Sequence, residues 1–252
     1  MNMDQTIQRH FAAFRRMDLP AVLGGYAPGL TAVVQAGAAS RTLGRRGLGR
    51  LLALLFRQAA ARSLQVLCQD GRGDWGVLAL SAPDETLFIN YVCRVQGGAV
   101  THLTLYVCDP SGQTRLPVRN IAAKGNQARW VFYKHALAMM SASADVIVKD
   151  YDENALVVTN LAGSACEGKA QIHAFCDHLM HSYGKILKSL RLHGLSAIHW
   201  KTTPAGGHLA LFALDARCLG MVMTETYWVE NGKIRFESSI CRGGMQETIQ
   251  NL

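Results

Sequence analysis

The chain has 252 residues, 49% of them hydrophobic and 17% charged, with a formal net charge of +8. That composition excludes a disordered or collagen-like chain and is long enough for two domains of about 125 residues. No apolar run approaches the ~18 residues of a membrane span. The seven cysteines are scattered singly without a Cys-x-x-Cys pair, which argues against a disulfide framework and for a reducing, cytoplasmic setting.

Ile7, Phe11 and Phe14 form a helical stripe over residues 7–17. Asp18 predicts the cap of a short second helix, with Pro20 in its first turn. A third helix is expected over about 45–62, and the arginines of residues 41–62 give it a basic character. Strands are expected at 64–68, 75–80, 86–95 and 99–107. Residues 109–124 contain Asp109-Pro110-Ser111-Gly112 and read as a linker. Beyond it, helices are expected near 127–142, 144–151 and 169–187. Strands are expected near 156–160, 189–200, 207–216, 219–229 and 233–241. Helices first, then hairpin-connected strands, predict α+β domains with helices on one sheet face.

The second half restates the first. His10 and Tyr26 fall on His135 and Tyr151 at one offset of 125 residues. Gly44-Arg45 and Gly168-Lys169 each open a helix, and each half closes on a hairpin, at Gly97-Gly98 and at Asn231-Gly232. A period this long indicates a duplicated domain rather than a solenoid of short repeats.

This order, with the Asp18-to-Tyr26 spacing, the Gly-Arg/Lys helix starts and the final Gly232-Lys233-Ile234 hairpin, resembles the nuclear transport factor 2-like superfamily. Its members include SnoaL-like polyketide cyclases, ketosteroid isomerase and limonene-epoxide hydrolase. The resemblance covers nearly the whole chain. It implies two tandem cone-shaped domains, each a curved antiparallel sheet wrapped around about three helices, packed as an internal pseudo-dimer, with a homo-oligomer also open. The implied division is a degenerate SnoaL-like domain at 1–108, a linker at 109–124 and a functional SnoaL-like domain at 125–252. On the isomerase pattern, the oxyanion-binding tyrosine is replaced by His10 and His135. The general-base aspartate is replaced by Val34 and Thr159, and the hydrogen-bond-donating aspartate by Tyr91 and Glu225. The isomerase mechanism therefore does not transfer intact, whereas a histidine beside an acid is closer to the cyclases.

Strand alternation separates the halves. If Glu225 faces the cone, so do Met223 and Tyr227. The hairpin register places Glu237 about opposite Glu225, with Ser239 and Cys241 following on the same face. The first half offers His10 and Tyr91 against Leu103, Leu105 and Val107. The expected catalytic groups are thus Glu225, His135 and Glu237, and the expected substrate contacts are Tyr227, Met223, Ser239, Cys241 and Thr159. The alternative is that one glutamate points outward or pairs with Lys233 or Arg235, because a one-residue bulge reverses a face.

Two functions follow. One is an isomerase- or lyase-type enzyme, polyketide cyclase-like, doing acid/base chemistry on an enolisable small molecule. The other is a non-catalytic module for small-molecule binding or assembly. No cofactor or metal is expected: His173, Asp177 and His181 have ligand spacing but read as a solvated helix face. The expected partners are a small hydrophobic substrate and an acidic carrier protein docked at Arg45, Arg46 and Arg50. Neither a membrane nor a nucleic acid is expected, since no aromatic residues interleave the arginines.

Overall fold

A computed structural model of the chain describes residues 3–36, 39–84, 86–108, 127–190, 195–202, 207–216 and 221–243. The predicted linker lies outside them. The contacts divide the chain into two compact units, Met1–Asn120 and Ile121–Leu252.

In the first unit, helix α1 (Met3–Arg15) and helix α2 (Leu19–Gly24) precede β1 (Tyr26–Ala36), β2 (Ala39–Leu43) and α3 (Arg45–Leu55). A 3-10 turn (Ala59–Ser63) leads into β3 (Gln65–Arg72), β4 (Trp75–Ser81), β5 (Phe88–Gln96) and β6 (Ala99–Cys108). Ile7, Phe11 and Phe14 are all buried, so the stripe of α1 faces the sheet as its spacing requires. The Asp18 carboxylate accepts from the Ala21 backbone at 3.1 Å and caps α2.

The second unit repeats the plan. Helices α4 (Gln127–Ser141) and α5 (Ala144–Ile147) and a 3-10 turn (Val148–Asp150) precede β7 (Tyr151–Thr159) and β8 (Cys166–Glu167). Helix α6 (Gly168–Leu190) then leads to β9 (Leu195–Thr202), β10 (His208–Ala216), β11 (Met221–Glu230) and β12 (Lys233–Gly243). The sheet orders match, β2-β1-β6-β5-β4-β3 and β8-β7-β12-β11-β10-β9. Both units are α+β, each with a six-stranded sheet. Every pairing is antiparallel except β1 with β6 and β7 with β12.

The repetition reaches the backbone. Met17 and Ala142, 125 residues apart, both take a left-handed conformation just past the first helix of their unit, at φ 56° and 53°. Both hairpin turns hold two successive residues at positive φ, Gly97-Gly98 and Asn231-Gly232, the type I′ geometry that matches strand twist. Beside each hairpin the register shifts by one residue, between Arg94 and Val95 and between Trp228 and Val229. Thr101 and Arg235 are the extra residues.

Three expectations change. The third helix stops at Leu55 rather than Arg62, and a separate 3-10 turn takes residues 59–63. The segment from Tyr26 to Leu43, unassigned from sequence, forms β1 and β2. Residues 32–36 are all buried, so no period-2 alternation marks them. Residues 189 and 190 belong to α6 rather than to a strand, and 191–194 and 219–220 lie outside the described residues. Among the described residues no helix is long and apolar enough to cross a membrane.

Candidate active site

The second cone closes on a cavity of about 30 Å³. Its polar wall is His135, Tyr151, Glu225, Glu237 and Ser239, and its apolar wall includes Met139, Met223 and Phe175. Helix α4 delivers His135, β7 delivers Tyr151, and the β11–β12 hairpin delivers both glutamates. The predicted opposition of the glutamates is corrected by two residues. Glu225 lies opposite Ser239, and Glu237 lies opposite Tyr227. The bulge at Arg235 makes this possible. Without it the hairpin count would set Glu225 against Ser238 and turn Glu237 outward. With it the two carboxylates are diagonal neighbours on one face, within reach of each other for long side chains. The alternative pairings are taken up elsewhere: Lys233 Nζ donates to the Lys149 carbonyl at 2.5 Å, and Arg235 pairs with Asp152.

Each carboxylate has its own tyrosine. Tyr151 donates to Glu237, and Tyr227 donates to Glu225. The Tyr151 and Tyr227 rings stand edge-on to the His135 ring, at 5.3 and 5.9 Å between centroids. Asp150, which the sequence reading did not single out, completes the group. Its Oδ2 is 3.5 Å from His135 Nδ1, and its Oδ1 accepts an ion pair from Lys134 at 2.8 Å. Asp150 is buried, whereas Lys134 is solvated.

Burial and charge set the protonation states. Burial, then the nearby Glu237, pushes the Glu225 carboxyl up to about 7, against the hydrogen bond from Tyr227 and the charge of His135. Burial also raises Glu237, with His135 and Tyr151 opposing. For His135, burial alone would lower the pKa. Asp150, Glu237 and Glu225 outweigh it, so the imidazolium is favoured above its ordinary range. For Asp150, burial opposes ionisation, but His135 and Lys134 win and hold it below the usual carboxylate range. Acid and base thus sit together near neutral pH, and the two glutamates titrate as a pair.

Other predicted contacts separate from the cavity. Met223 and Ser239 line it, and Tyr227 reaches it through Glu225. Cys241 is buried on the same strand face but outside the cavity wall. Thr159 is also outside. Its hydroxyl accepts from the Leu161 backbone at 3.0 Å and serves the turn after β7. His173 pairs with Asp145 at 2.9 Å, and His181 lies 3.4 Å from Asp177 within its own helix. Arg45, Arg46 and Arg50 do gather, on one open groove with Leu23, Pro28 and Ala53.

The first cone shows what the second changed. His10 Nε2 lies 2.6 Å from Tyr91 Oη, which donates to Tyr26 Oη at 3.3 Å. Phe14 packs on Tyr91 at 4.9 Å between centroids, and Leu103, Leu105 and Val107 are buried against this group. Burial holds His10 down to about 4, so its ring is neutral at physiological pH. The position of Asp150 is taken by Gly25, and a Cβ there would sit 2.6 Å from His10 Nδ1. An aspartate cannot enter without moving the ring. Gly25→Ala is therefore expected to destabilise the chain by roughly 1–3 kcal/mol, measured by denaturant unfolding. An unchanged unfolding midpoint would contradict this packing.

No protein-family model and no curated protein matches the chain. Solved structures similar to it include an NTF-2 like protein of unknown function from Burkholderia xenovorans LB400, 19% identical, covering 48% of this chain and 95% of its own, with a TM-score of 0.34. An NTF2-like protein of unknown function from Cytophaga hutchinsonii ATCC 33406 is 13% identical, covers 46% of this chain and 96% of its own, and has a TM-score of 0.32. A de novo designed protein with a curved β-sheet is 13% identical, covers 52% of this chain and 96% of its own, and has a TM-score of 0.34. These likenesses say nothing of chemistry, which rests on the side chains described above.

Proposed function

We propose that the second unit is an acid/base enzyme site for a small, enolisable, uncharged molecule, catalysing an isomerisation, cyclisation or dehydration. The observation that carries this reading is the meeting of Glu225, Glu237 and His135 on one cavity wall. Glu225, ionised, takes a proton from carbon beside a carbonyl. His135, kept protonated by Asp150, donates a hydrogen bond to the developing oxyanion. Glu237, ionised and held by the hydrogen bond from Tyr151, raises the basicity of Glu225 through its charge. Two buried carboxylates disfavour an anionic substrate on the same ground.

The reaction requires Glu225 ionised and His135 protonated. Turnover is expected to rise with pH through about 7 as Glu225 ionises, and to fall at higher pH as His135 loses its proton. The test is α-proton exchange in deuterium oxide with a panel of cyclic enones and 1,3-diketones, followed by proton NMR. Exchange that His135→Ala abolishes and His10→Ala leaves intact supports the reading. Exchange lost equally in both variants overturns the assignment to the second unit.

The size of the cavity favours a second reading. About 30 Å³ holds one water, so a ligand must displace side chains, as flexible methionines such as Met139 and Met223 permit. A non-catalytic assembly module would need no such opening. No exchange with any panel member and no saturable binding of any of them would favour that reading.

The arginine groove extends the proposal to a partner. Arg45, Arg46 and Arg50 present an exposed cationic face suited to an acidic carrier protein that delivers substrate. Replacing all three with glutamine is expected to slow association several-fold at low salt and flatten its salt dependence. Stopped-flow mixing with an acidic carrier protein measures this, and an unchanged rate across the salt series would remove the docking role.

A further inference from the structure

The first unit, whose cone core is sealed, nevertheless has the roomier opening. A half-open cleft of about 650 Å³ lies between the end of α1, the 3-10 turn and the outer ends of β3, β4 and β5. The break in the third helix creates it. After Leu55 the backbone tightens, with Arg57 N bonded to Leu54 O at 3.2 Å and Gln58 N to Leu55 O at 3.1 Å. The chain then turns away, so Phe56, Ala61 and Leu64 form one wall. Phe14 and Met17 form the opposite wall, and Leu80 and Ile89 form the floor. In the second unit α6 runs on to Leu190 without such a break. The break is therefore specific to one repeat, although Phe14 and Ile89 of the cleft match Met139 and Met223 of the second cavity.

Its lining is divided by chemistry. The floor is apolar, and the lip includes Val66, 42% exposed beside the opening. Arg15 and Arg16 stand at one rim and are exposed. Among the described residues no acidic residue lines the cleft, and none occurs in the sequence between Asp18 and Asp70. Asp18 itself is engaged as the cap of α2. Arg57 and Arg62 adjoin the wall residues Phe56 and Ala61 and are also exposed. Arg15 keeps a long contact to Gln69 Oε1 at 3.4 Å and has donors to spare.

The geometry points to a separate ligand site in the first unit, for an amphiphilic organic anion with an apolar body and a carboxylate head. The volume is within the range of small-molecule pockets. The apolar walls take the body, and the fork of an arginine fits a carboxylate in two-point fashion. His10 and Tyr91 lie sealed beneath, so this site binds its ligand and does not transform it. The inference is independent of the acid/base reading of the second unit.

Decanoate, decanol and decyltrimethylammonium test it on the full chain by titration calorimetry. They share an alkyl body and differ in the head. Decanoate is expected to bind at least tenfold more tightly than decanol, with the cation weakest, and the preference should shrink as salt is raised. The Arg15→Ala/Arg16→Ala double variant should bind decanoate and decanol alike. Val66→Glu should weaken decanoate at least tenfold, and Glu225→Gln should leave it unchanged. All four substitutions are on exposed positions or in the other unit, and circular dichroism confirms that each of the three variants is folded. Equal binding of the three probes, no binding of decanoate, a preference that survives loss of both arginines, or a loss caused by Glu225→Gln would each overturn the site.

Discussion

Asp150→Asn is expected to destabilise the second unit by about 3 kcal/mol, the usual scale for removing one member of a buried charge pair. His135 would then keep its burial but lose its nearest compensating charge, and its pKa should fall back toward or below the ordinary histidine value. The signs fix where the loss is largest. Asp150, with a lowered pKa, contributes stability above the ordinary carboxylate range and loses it as pH falls. His135, with a raised pKa, contributes stability at low pH and loses it as pH rises through its folded value. The difference between wild type and variant should therefore peak from about pH 5 to just above neutrality and shrink on either side. Urea unfolding across pH measures this, and NMR of the imidazole protons reads the pKa. A His135 pKa that does not move would show that Asp150 only fills space.

Glu225→Gln is expected to separate stability from chemistry. In the wild type the folded state holds the Glu225 proton up to about 7, well beyond an ordinary carboxylate. Stability is therefore present at low pH and declines as pH rises toward that value. Glutamine removes the decline. The variant should match the wild type near pH 5 and exceed it by roughly 1–3 kcal/mol at pH 8. Carbon-proton exchange should fall at least a hundredfold in the same protein. A variant less stable at pH 8 would mean that Glu225 serves the fold. A variant of unchanged exchange activity would remove it as the base.

These two residues also mark what a reader of the chain can and cannot see. The duplicated plan is legible because His10 and His135, and Tyr26 and Tyr151, keep one offset. Burial at both histidines then follows from their shared place on a half-apolar helix. Placing Glu225 and Glu237 on one face depended on a bulge that no residue type announces. Arg235 is an ordinary strand residue in the sequence. β1 escaped because Pro28 and Gly29 interrupt it and its second half is buried on both faces. Asp150 escaped because a charged residue at the end of a 3-10 turn reads as solvated, and its partner lies on another element. The signal was a difference between repeats rather than a pattern within one: Gly25-Tyr26 in the first half, Asp150-Tyr151 in the second.

The bulge at Arg235 has an evolutionary consequence. Loss of that one codon would leave the hairpin turn untouched and regularise the ladder, because Ile234 already faces Val229 and Phe236 already faces Trp228. Glu237 and Ser239 would still project into the cone, opposite Tyr227 and Glu225. Loss of Thr101 in the first half would likewise leave Leu103 and Leu105 opposite Cys93 and Tyr91. A lineage carrying this tandem gene could thus lose one residue beside either hairpin without exchanging the faces of the strand. Turning a charged interior into an apolar one requires substitution at the inward positions themselves. Those positions, rather than length polymorphism beside the two hairpins, are therefore where divergence of function between copies should be sought.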